Sequence, residues 1–397
     1  MKVLWQHIAC CAVLLGIGAV PAAASGSATG VLTYEQSEDR ANFIAQVRKA
    51  RQGDAEAQWQ VGMTYAGLGD YARAVPMLLS SASAGHARAA NLLGWLHEDG
   101  RGTEKSIEQA RHWYRIAADQ GEADAMSALG RLLLQGKQPE AHEAARQLFE
   151  RSARLGDADG QYFLGWMLAA PIGGQRDDAT AFGWFIKAAN QGHVGGQLAA
   201  ATHLLAGRGV SMDKKAAGDW LIRAAETQDP VAHYLLGQLR LGAEEADLER
   251  VHSSFRVAAV AGHREAQFAL ATLLAKSPVD ADKKEAAGWF AKAHEAGHIA
   301  AANRLGELYR DGAGVPLQLD KARSIFQQAA EQSDADAMYN LAEMQNDGHG
   351  GERDTGKALE WYTRAAMRGH KRAVGVVDSL LSSSVKLSDL GLKGFWQ

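Results

Sequence analysis

Histidines are the residues of this sequence best suited to bind a metal ion, because imidazole is a common ligand of transition metals. The chain has 14 of them. Five, namely His86, His193, His263, His298 and His370, directly follow a glycine that closes an alanine-rich segment. They recur at one position of a repeat of about 35 residues, so they would lie along an edge instead of around one ion. We therefore interpret them as helix caps and predict no metal site.

Other patterns that resemble catalytic or cofactor motifs are also better explained by structure. His294 and His298 have the i, i+4 spacing of a metal-binding pair, but Gly297 is expected to end the helix between them. Glycine loops such as residues 207–209 lack the preceding strand and the following Gly-Lys-Ser/Thr of a phosphate-binding loop. The chain has no Gly-x-Ser-x-Gly nucleophile motif. We therefore predict that the protein is not an enzyme and binds no cofactor.

Composition excludes some classes of partner. The formal net charge is -4, and 47% of the residues are hydrophobic. The chain thus has enough apolar residues for a folded core and no basic excess for nucleic acid. We predict no nucleic-acid binding, and contact with a membrane only through a partner or through an uncleaved N-terminus.

The first 24 residues have the pattern of a secretion signal. Lys2 precedes a mostly apolar run, and small residues surround the predicted cleavage point after Ala24. An uncleaved membrane anchor is the alternative. Both cysteines of the chain, Cys10 and Cys11, lie in this segment, so a cleaved chain would form no disulfide. We expect a periplasmic or secreted protein.

The rest of the chain is a tandem repeat. One residue closes the alanine-rich segment of every copy, and successive closing residues lie 32 to 36 positions apart. We call these residues the markers. They are Gly53, Gly85, Gly121, Gly156, Gly192, Gln228, Gly262, Gly297, Ser333 and Gly369.

Each copy has two helical registers. Small residues stand four and nine positions after each of the first nine markers, and in all but one of these copies an apolar residue larger than alanine stands at position eight. Together these positions form one helical stripe. A second stripe has mostly large residues eight positions before the marker and small residues four before it. Each repeat is therefore predicted to be a first helix, a loop and a second helix.

Aspartates at the predicted helix starts support this division, because their carboxylates cap free backbone N–H groups. Predicted caps of first helices are Asp54, Asp157, Asp229 and Asp334. Predicted caps of second helices are Asp213, Asp320 and Asp354, each after a glycine-containing loop.

The predicted layout begins with a signal peptide at 1–24 and an N-terminal linker with a capping helix at 25–52. A repeat solenoid follows at 53–381, and a C-terminal tail covers 382–397. The repeats are 53–84, 85–120, 121–155, 156–191, 192–227, 228–261, 262–296, 297–332 and 333–368, with a final helix at 369–381.

The repeat resembles the Sel-one-like repeat family, a relative of the tetratricopeptide repeat with a longer inner loop. The resemblance is clearest at residues 301–309, 311–315, 320–322 and 329–330. It implies an all-α fold, a right-handed superhelical α/α solenoid of about nine helix-loop-helix repeats. It also implies a non-catalytic adaptor that binds a protein or peptide partner.

Candidate binding residues lie where the repeats differ from one another. Three and ten positions past the markers, on the first helices that line the concave side of related solenoids, the residue type varies. The candidate groove residues are Met63, Trp95, Arg131, Trp166, Gln238, Glu307 and Glu343. Trp95 and Trp166 would be aromatic anchors, or would instead pack between repeats.

Three functions are consistent with these patterns. The first is an extracytoplasmic adaptor in envelope signalling or complex assembly. The second is a scaffold for exopolysaccharide export or assembly, as for alginate, which would bind the polysaccharide-export machinery. The third, a β-lactamase-like or cell-wall hydrolase, is disfavoured because the cysteine-rich repeats of that branch of the family are absent.

Overall fold

The computed structural model describes residues 34–136, 138–170, 172 and 175–382. The predicted signal peptide and all but the first residue of the predicted tail lie outside these residues. The described residues form twenty α-helices and no β-strand, as the all-α prediction requires. No helix among them combines the length and the apolar character needed to cross a membrane.

The helices alternate between first and second positions of the repeats. The first part of the chain contains α1 (Tyr34–Arg51), α2 (Ala55–Gly67), α3 (Tyr71–Ser83), α4 (Ala87–Asp99), α5 (Ile107–Asp119), α6 (Ala123–Leu134), α7 (Pro139–Leu155), α8 (Ala158–Ala169), α9 (Asp178–Asn190), α10 (Val194–Ala206) and α11 (Lys214–Ala225). The second part contains α12 (Pro230–Leu241), α13 (Leu248–Val260), α14 (Arg264–Ala275), α15 (Asp280–Glu295), α16 (Ile299–Asp311), α17 (Leu319–Glu331), α18 (Ala335–Asp347), α19 (Thr355–Met367) and α20 (Lys371–Ser382).

The chain forms two compact units, the first ending at Trp220 and the second beginning at Leu221. Within each unit, a first helix packs on the second helix of its own repeat, and that second helix packs on the next first helix. One repeat cannot bury its apolar faces alone, so neighbouring repeats bury them against each other.

The recurring glycine of the first helices is explained by an aromatic ring on the second helix. A Cβ atom at Gly306 would lie 2.6 Å from the ring of Phe326. The same close approach occurs at Gly94 on Tyr114, Gly130 on Phe149, Gly165 on Phe185 and Gly237 on Phe255. Glycine costs a helix about 1 kcal/mol relative to alanine, and the buried ring that it admits offsets this cost.

The markers end the second helices in the left-handed conformation. Gly121 has φ +94° with open space around it, so its backbone conformation is the reason for glycine there. Gln228 and Ser333 adopt φ values of 61° and 77° without being glycine. The predicted caps Asp54, Asp157, Asp229 and Asp334 are confirmed, since each carboxylate accepts a hydrogen bond from a backbone N–H three residues later.

Two of the three predicted second-helix caps are also confirmed. Asp213 and Asp354 accept from the backbone N–H groups of Ala216 and Lys357 at 2.9 Å. The prediction for Asp320 is wrong, because α17 begins two residues earlier than that cap implies and has Gln318 at its cap position without a side-chain hydrogen bond.

Some loops have a second glycine that packs closely on the preceding repeat. A Cβ atom at Gly209 would collide with the carbonyl oxygen of Asp178, at the start of α9 in the preceding repeat. Gly350 is placed in the same way on Leu319, at the start of α17. Both glycines also have positive φ, +67° and +70°. Close packing and backbone conformation thus both require glycine at this loop position.

Candidate functional site

The candidate surface is formed by residues three, six and ten positions past the markers, which we call the first-helix face. Sequence reasoning identified positions three and ten and missed position six. The signal was present, since position six is aromatic in five repeats, as Trp59, Tyr162, Tyr234, Phe268 and Tyr339. All five rings stack on a histidine of the next repeat.

These histidines are the ones that follow the markers. The ring centroids lie 4.1 to 5.1 Å apart, with interplanar angles of 18° to 29°. The pairs are His86 on Trp59, His193 on Tyr162, His263 on Tyr234, His298 on Phe268 and His370 on Tyr339. Each histidine therefore joins the first helices of two adjacent repeats.

The hydrogen bonds of His193 show how such a histidine is held. Its Nδ1 accepts from the backbone N–H of Gly196 at 2.9 Å. Its Nε2 lies 3.0 Å from an Asp159 carboxylate oxygen of the preceding repeat. This pattern places the proton of the neutral ring on Nε2. The cap prediction is confirmed at four of the five histidines, while at His298 the side chain makes no cap hydrogen bond.

Residues 294–298 read His-Glu-Ala-Gly-His, the residue order of the zinc-protease motif. That motif requires both histidines on one face of a continuous helix. Here α15 ends at Glu295, and Gly297 has φ +84°. His298 instead pairs through Nε2 with Glu265 at 3.1 Å. Among the described residues, no three histidine, cysteine, aspartate or glutamate side chains are grouped to hold a metal ion.

Asp157 caps α8 at the position where five other first helices have a histidine. The repeat before it, 121–155, has no aromatic residue at position six. That repeat has Ser127 there, and the Ser127 and Ser152 hydroxyls donate to Asp157 Oδ2 at 2.5 and 2.8 Å. Asp124 stands where a histidine cap would find its carboxylate partner. Burial and then the nearby charge of Asp157 raise the pKa of Asp124 to about 6.

The predicted groove residues of the first unit mostly have partners within the protein. Met63 is exposed. Trp95 is half-buried and lies under the Arg101 guanidinium, 4.9 Å from the ring centroid. Arg131 donates to Glu98 at 2.7 Å.

Trp166, the second predicted anchor, is half-buried and packs against the core that contains Phe149 and Leu164. Packing between repeats was the alternative prediction for Trp166, and its ring lies against a core that includes Phe149 of the preceding repeat. Neither predicted tryptophan is an open aromatic surface.

In the second unit, Gln238 is exposed and donates to the Tyr234 hydroxyl at 3.0 Å. Glu343 accepts from the Tyr362 hydroxyl at 2.6 Å. Burial, followed by the Glu343 charge, raises the pKa of Tyr339 on the same helix. Tyr339 therefore remains neutral in the physiological range.

A polar bridge connects the first helices α16 and α18. The Asn340 amide donates to Asn303 Oδ1 at 2.9 Å, and its oxygen accepts from Arg310 at 3.2 Å. Glu307 accepts from Asn303 at 3.2 Å and from Arg304 at 2.9 Å. The two asparagines are buried, so these bonds hold the side chains in one arrangement.

A surface hollow of about 400 Å³ lies beside this bridge. Its lining includes the carboxylates of Glu307 and Asp336, the Tyr339 ring, the Asn340 amide and residues 369–372 at the start of α20. The structure thus brings one predicted groove residue, Glu307, to a concave site. The other six predicted groove residues do not line this hollow.

Stacked helix pairs with a polar hollow on their first helices define a tandem helical-repeat protein of the kind that presents binding surfaces. The Sel1 repeat model matches residues 87–122, 123–157, 158–193, 196–227, 264–298, 299–334 and 335–370. These segments cover more than half of the chain, which therefore belongs to the Sel1 repeat family.

Curated relatives include chitin synthase regulatory factor 1 of Schizosaccharomyces pombe, 34% identical over 111 residues, which are 27% of this chain and 24% of the relative. The chitin synthase regulator SKT5 of Saccharomyces cerevisiae is 28% identical over 58% of this chain and 35% of its own length. The chain therefore spans about a quarter to a third of these relatives.

Among solved structures, a Sel1 repeat protein from Oxalobacter formigenes is 26% identical, with 85% of this chain and 89% of that chain covered and a TM-score of 0.43. A protective antigen of uropathogenic Escherichia coli with an SLR fold is 22% identical, with 88% and 92% covered and a TM-score of 0.43.

Proposed function

We propose that this protein is a non-catalytic scaffold of the cell envelope that binds a segment of a protein partner on the first-helix face of its second unit. The observation that carries this proposal is the hollow beside the Asn303–Asn340 bridge. It combines amide, carboxylate, aromatic and cationic groups within reach of one extended peptide, whose backbone offers both donors and acceptors.

Pre-organisation supports the same function. Glu307 and Asn340 are held by hydrogen bonds among neighbouring side chains. Side chains that are already ordered lose little conformational entropy when a partner binds. A rigid helical platform with fixed polar groups is therefore suited to recognition.

Site-specific photo-crosslinking tests this proposal in the native cell. A photoreactive residue replaces Asp336, which is exposed and lines the hollow, or Gln328, which is exposed on α17 and does not line it. Position 336 is expected to give a discrete crosslinked protein that position 328 does not give. The same products from both positions, or none from 336, would contradict the proposal.

We also propose export, which the pattern of residues 1–24 supports. Cell fractionation with N-terminal sequencing of the mature protein checks this. The expected result is a periplasmic or secreted chain that begins at Ser25. A chain that retains Lys2 in the membrane fraction would support the uncleaved anchor, and a cytoplasmic chain would contradict export.

A second candidate function is a scaffold for polysaccharide synthesis or export, which is favoured by the relatives that are named chitin synthase regulators. Deletion of the gene should then lower the secreted polysaccharide, and the protein crosslinked at position 336 should be a polymer-synthesis or export subunit. Unchanged polysaccharide and an unrelated partner would leave the general adaptor as the function.

A hydrolytic function is the least supported. Incubation of the purified protein with a chromogenic cephalosporin is expected to give no turnover above buffer. Turnover that copurifies with the protein and survives a change of expression host would contradict the non-catalytic proposal.

A further inference from the structure

Two adjacent cations distinguish the last helix from the other first helices. Lys371 and Arg372 stand two and three positions past their marker, and both are exposed at the hollow. No other first helix of a repeat has more than one cation at these two positions. The cations found there, Arg88 and Arg264, lie 4.0 Å from Glu122 and 3.1 Å from Glu265 respectively.

The carboxylates of the hollow already have partners among other groups. Glu307 accepts hydrogen bonds from Arg304 and Asn303. Asp336 lies 3.5 Å from His370 Nε2. Within the described part of the chain, neither Lys371 nor Arg372 forms an ion pair. Lys371 and Arg372 therefore outnumber Asp336, whose imidazole partner carries no charge unless it is protonated, and the hollow has an excess of positive charge.

We infer that the segment bound at this hollow is acidic, with side-chain carboxylates that pair with Lys371 and Arg372. This inference rests on the proposed binding function and specifies the chemistry of the partner. A carboxylate accepts charge-assisted hydrogen bonds from both an ammonium and a guanidinium group. The Tyr339 ring and the Asn340 amide, which line the same hollow, would contact the rest of the segment.

The test measures fluorescence anisotropy with the full mature chain and three labelled peptides that differ in one run of residues. The run is glutamate, glutamine or lysine between identical Gly-Ser flanks. The glutamate peptide is expected to bind most tightly, and its affinity should fall as ionic strength rises. The double substitution Lys371→Glu and Arg372→Glu should weaken its binding at least about tenfold.

A matched control has the same charge change elsewhere. Lys214 and Lys215 are also adjacent, exposed and at the start of a helix, α11, but belong to a second helix. The double substitution Lys214→Glu and Lys215→Glu should leave the affinity within about twofold of the wild type. Both variants change exposed residues, so thermal unfolding is expected to show intact folding.

Each other outcome overturns the inference in a distinct way. Equal weakening by the two double variants would show a non-specific charge effect. Equal binding of the glutamine peptide would remove the carboxylate requirement and leave peptide binding intact. Failure of all three peptides, with a crosslinked partner still obtained at position 336, would exclude the acidic segment but keep the proposed function.

The C-terminal tail is another possible occupant, since Asp389 lies 17 positions after Arg372. A chain that ends at Ser382 distinguishes this case. Unchanged peptide binding after truncation supports an external acidic partner. Glutamate-peptide binding that appears only after truncation would assign the site to the tail and overturn the inference.

Discussion

The imidazole of His193 stacks on the Tyr162 phenol at 4.7 Å between ring centroids, although the two residues belong to different repeats. The same imidazole caps α10 through Nδ1. One side chain thus satisfies a free N–H group at a helix N-terminus and packs that helix against its neighbour. The repeats are coupled by polar contacts on this edge as well as by the apolar core.

This double role predicts the effect of changing His193. His193→Ala removes a cap and a stacked ring and should lower the free energy of unfolding by about 1 to 2 kcal/mol. His193→Asn retains a capping oxygen and should lose less than half of that amount. Urea denaturation followed by circular dichroism measures both. Equal losses would show that the cap contributes nothing.

Gly207 and Gly209 lie in the same loop, and their substitution distinguishes the cost of backbone conformation from the cost of lost close packing. A Cβ atom added at Gly207, which has φ +63°, would lie 3.7 Å from its nearest neighbours, whereas Gly209 abuts Asp178. Gly207→Ala should cost about 1 kcal/mol through the left-handed conformation alone. Gly209→Ala should cost at least about 2 kcal/mol more, because the Asp178 backbone must move. Thermal unfolding of both variants measures the difference, and similar values would refute the packing explanation.

Removing the charge of Asp124 is predicted to raise stability at about pH 8, because this carboxylate lies close to Asp157. The pKa of Asp124 is raised to about 6, so its contribution is favourable below its ordinary pKa and is lost as pH rises through about 6. Asp124→Asn should therefore stabilise the protein at about pH 8 by roughly 1 kcal/mol, a small value because solvent screens the part of Asp124 that remains exposed. The gain should shrink at about pH 5.

Asp159 is the matched control for this prediction, since it occupies the same register but faces His193. Asp159→Asn should leave stability unchanged or slightly lower at about pH 8. Equivalent stabilisation by the two substitutions, measured as the midpoint of thermal unfolding, would show that repulsion from Asp157 is not the cause.

We predict that His263 makes the protein less stable in acid. Burial lowers the pKa of this imidazole. The other four stacked histidines have a carboxylate partner three positions past the preceding marker, but Val231 stands at that position for His263. Its contribution is present above its ordinary pKa of about 6.5 and is lost as the pH falls below that value. His263→Asn should therefore reduce the drop in unfolding temperature between about pH 7.5 and pH 5. An unchanged drop would exclude His263 as a source.

Much of the fold could be predicted from the sequence, because each position of the repeat occurs in about nine copies whose residue types can be compared. A glycine that recurs in a helix, as at Gly306, indicates close packing even before Phe326 is known to fill the space. The prediction fails at Asp320 because a cap depends on where the helix begins, and a shift of two residues moves Asp320 into the first turn.

The candidate site was less predictable, for a physical reason. Asn303 and Asn340 stand at positions six and seven of their repeats, and only the packing of α16 against its neighbours brings their amides within 2.9 Å. Residue variability pointed to Glu307 but also to Trp166, whose ring packs against the core. Variation between repeats does not distinguish a free side chain from one that fits an irregular neighbour.

The stacked histidines also restrict how such a chain can be rearranged. The histidine belongs to one repeat and its aromatic partner to the repeat before, so each of these five junctions has two halves that come from different copies. Moving the repeat that contains His193 behind one with Ser127 at position six would leave the imidazole without its ring. Repeats are thus not fully interchangeable modules: a duplication or an engineered swap keeps a stacked contact only when both of its residues are inherited together.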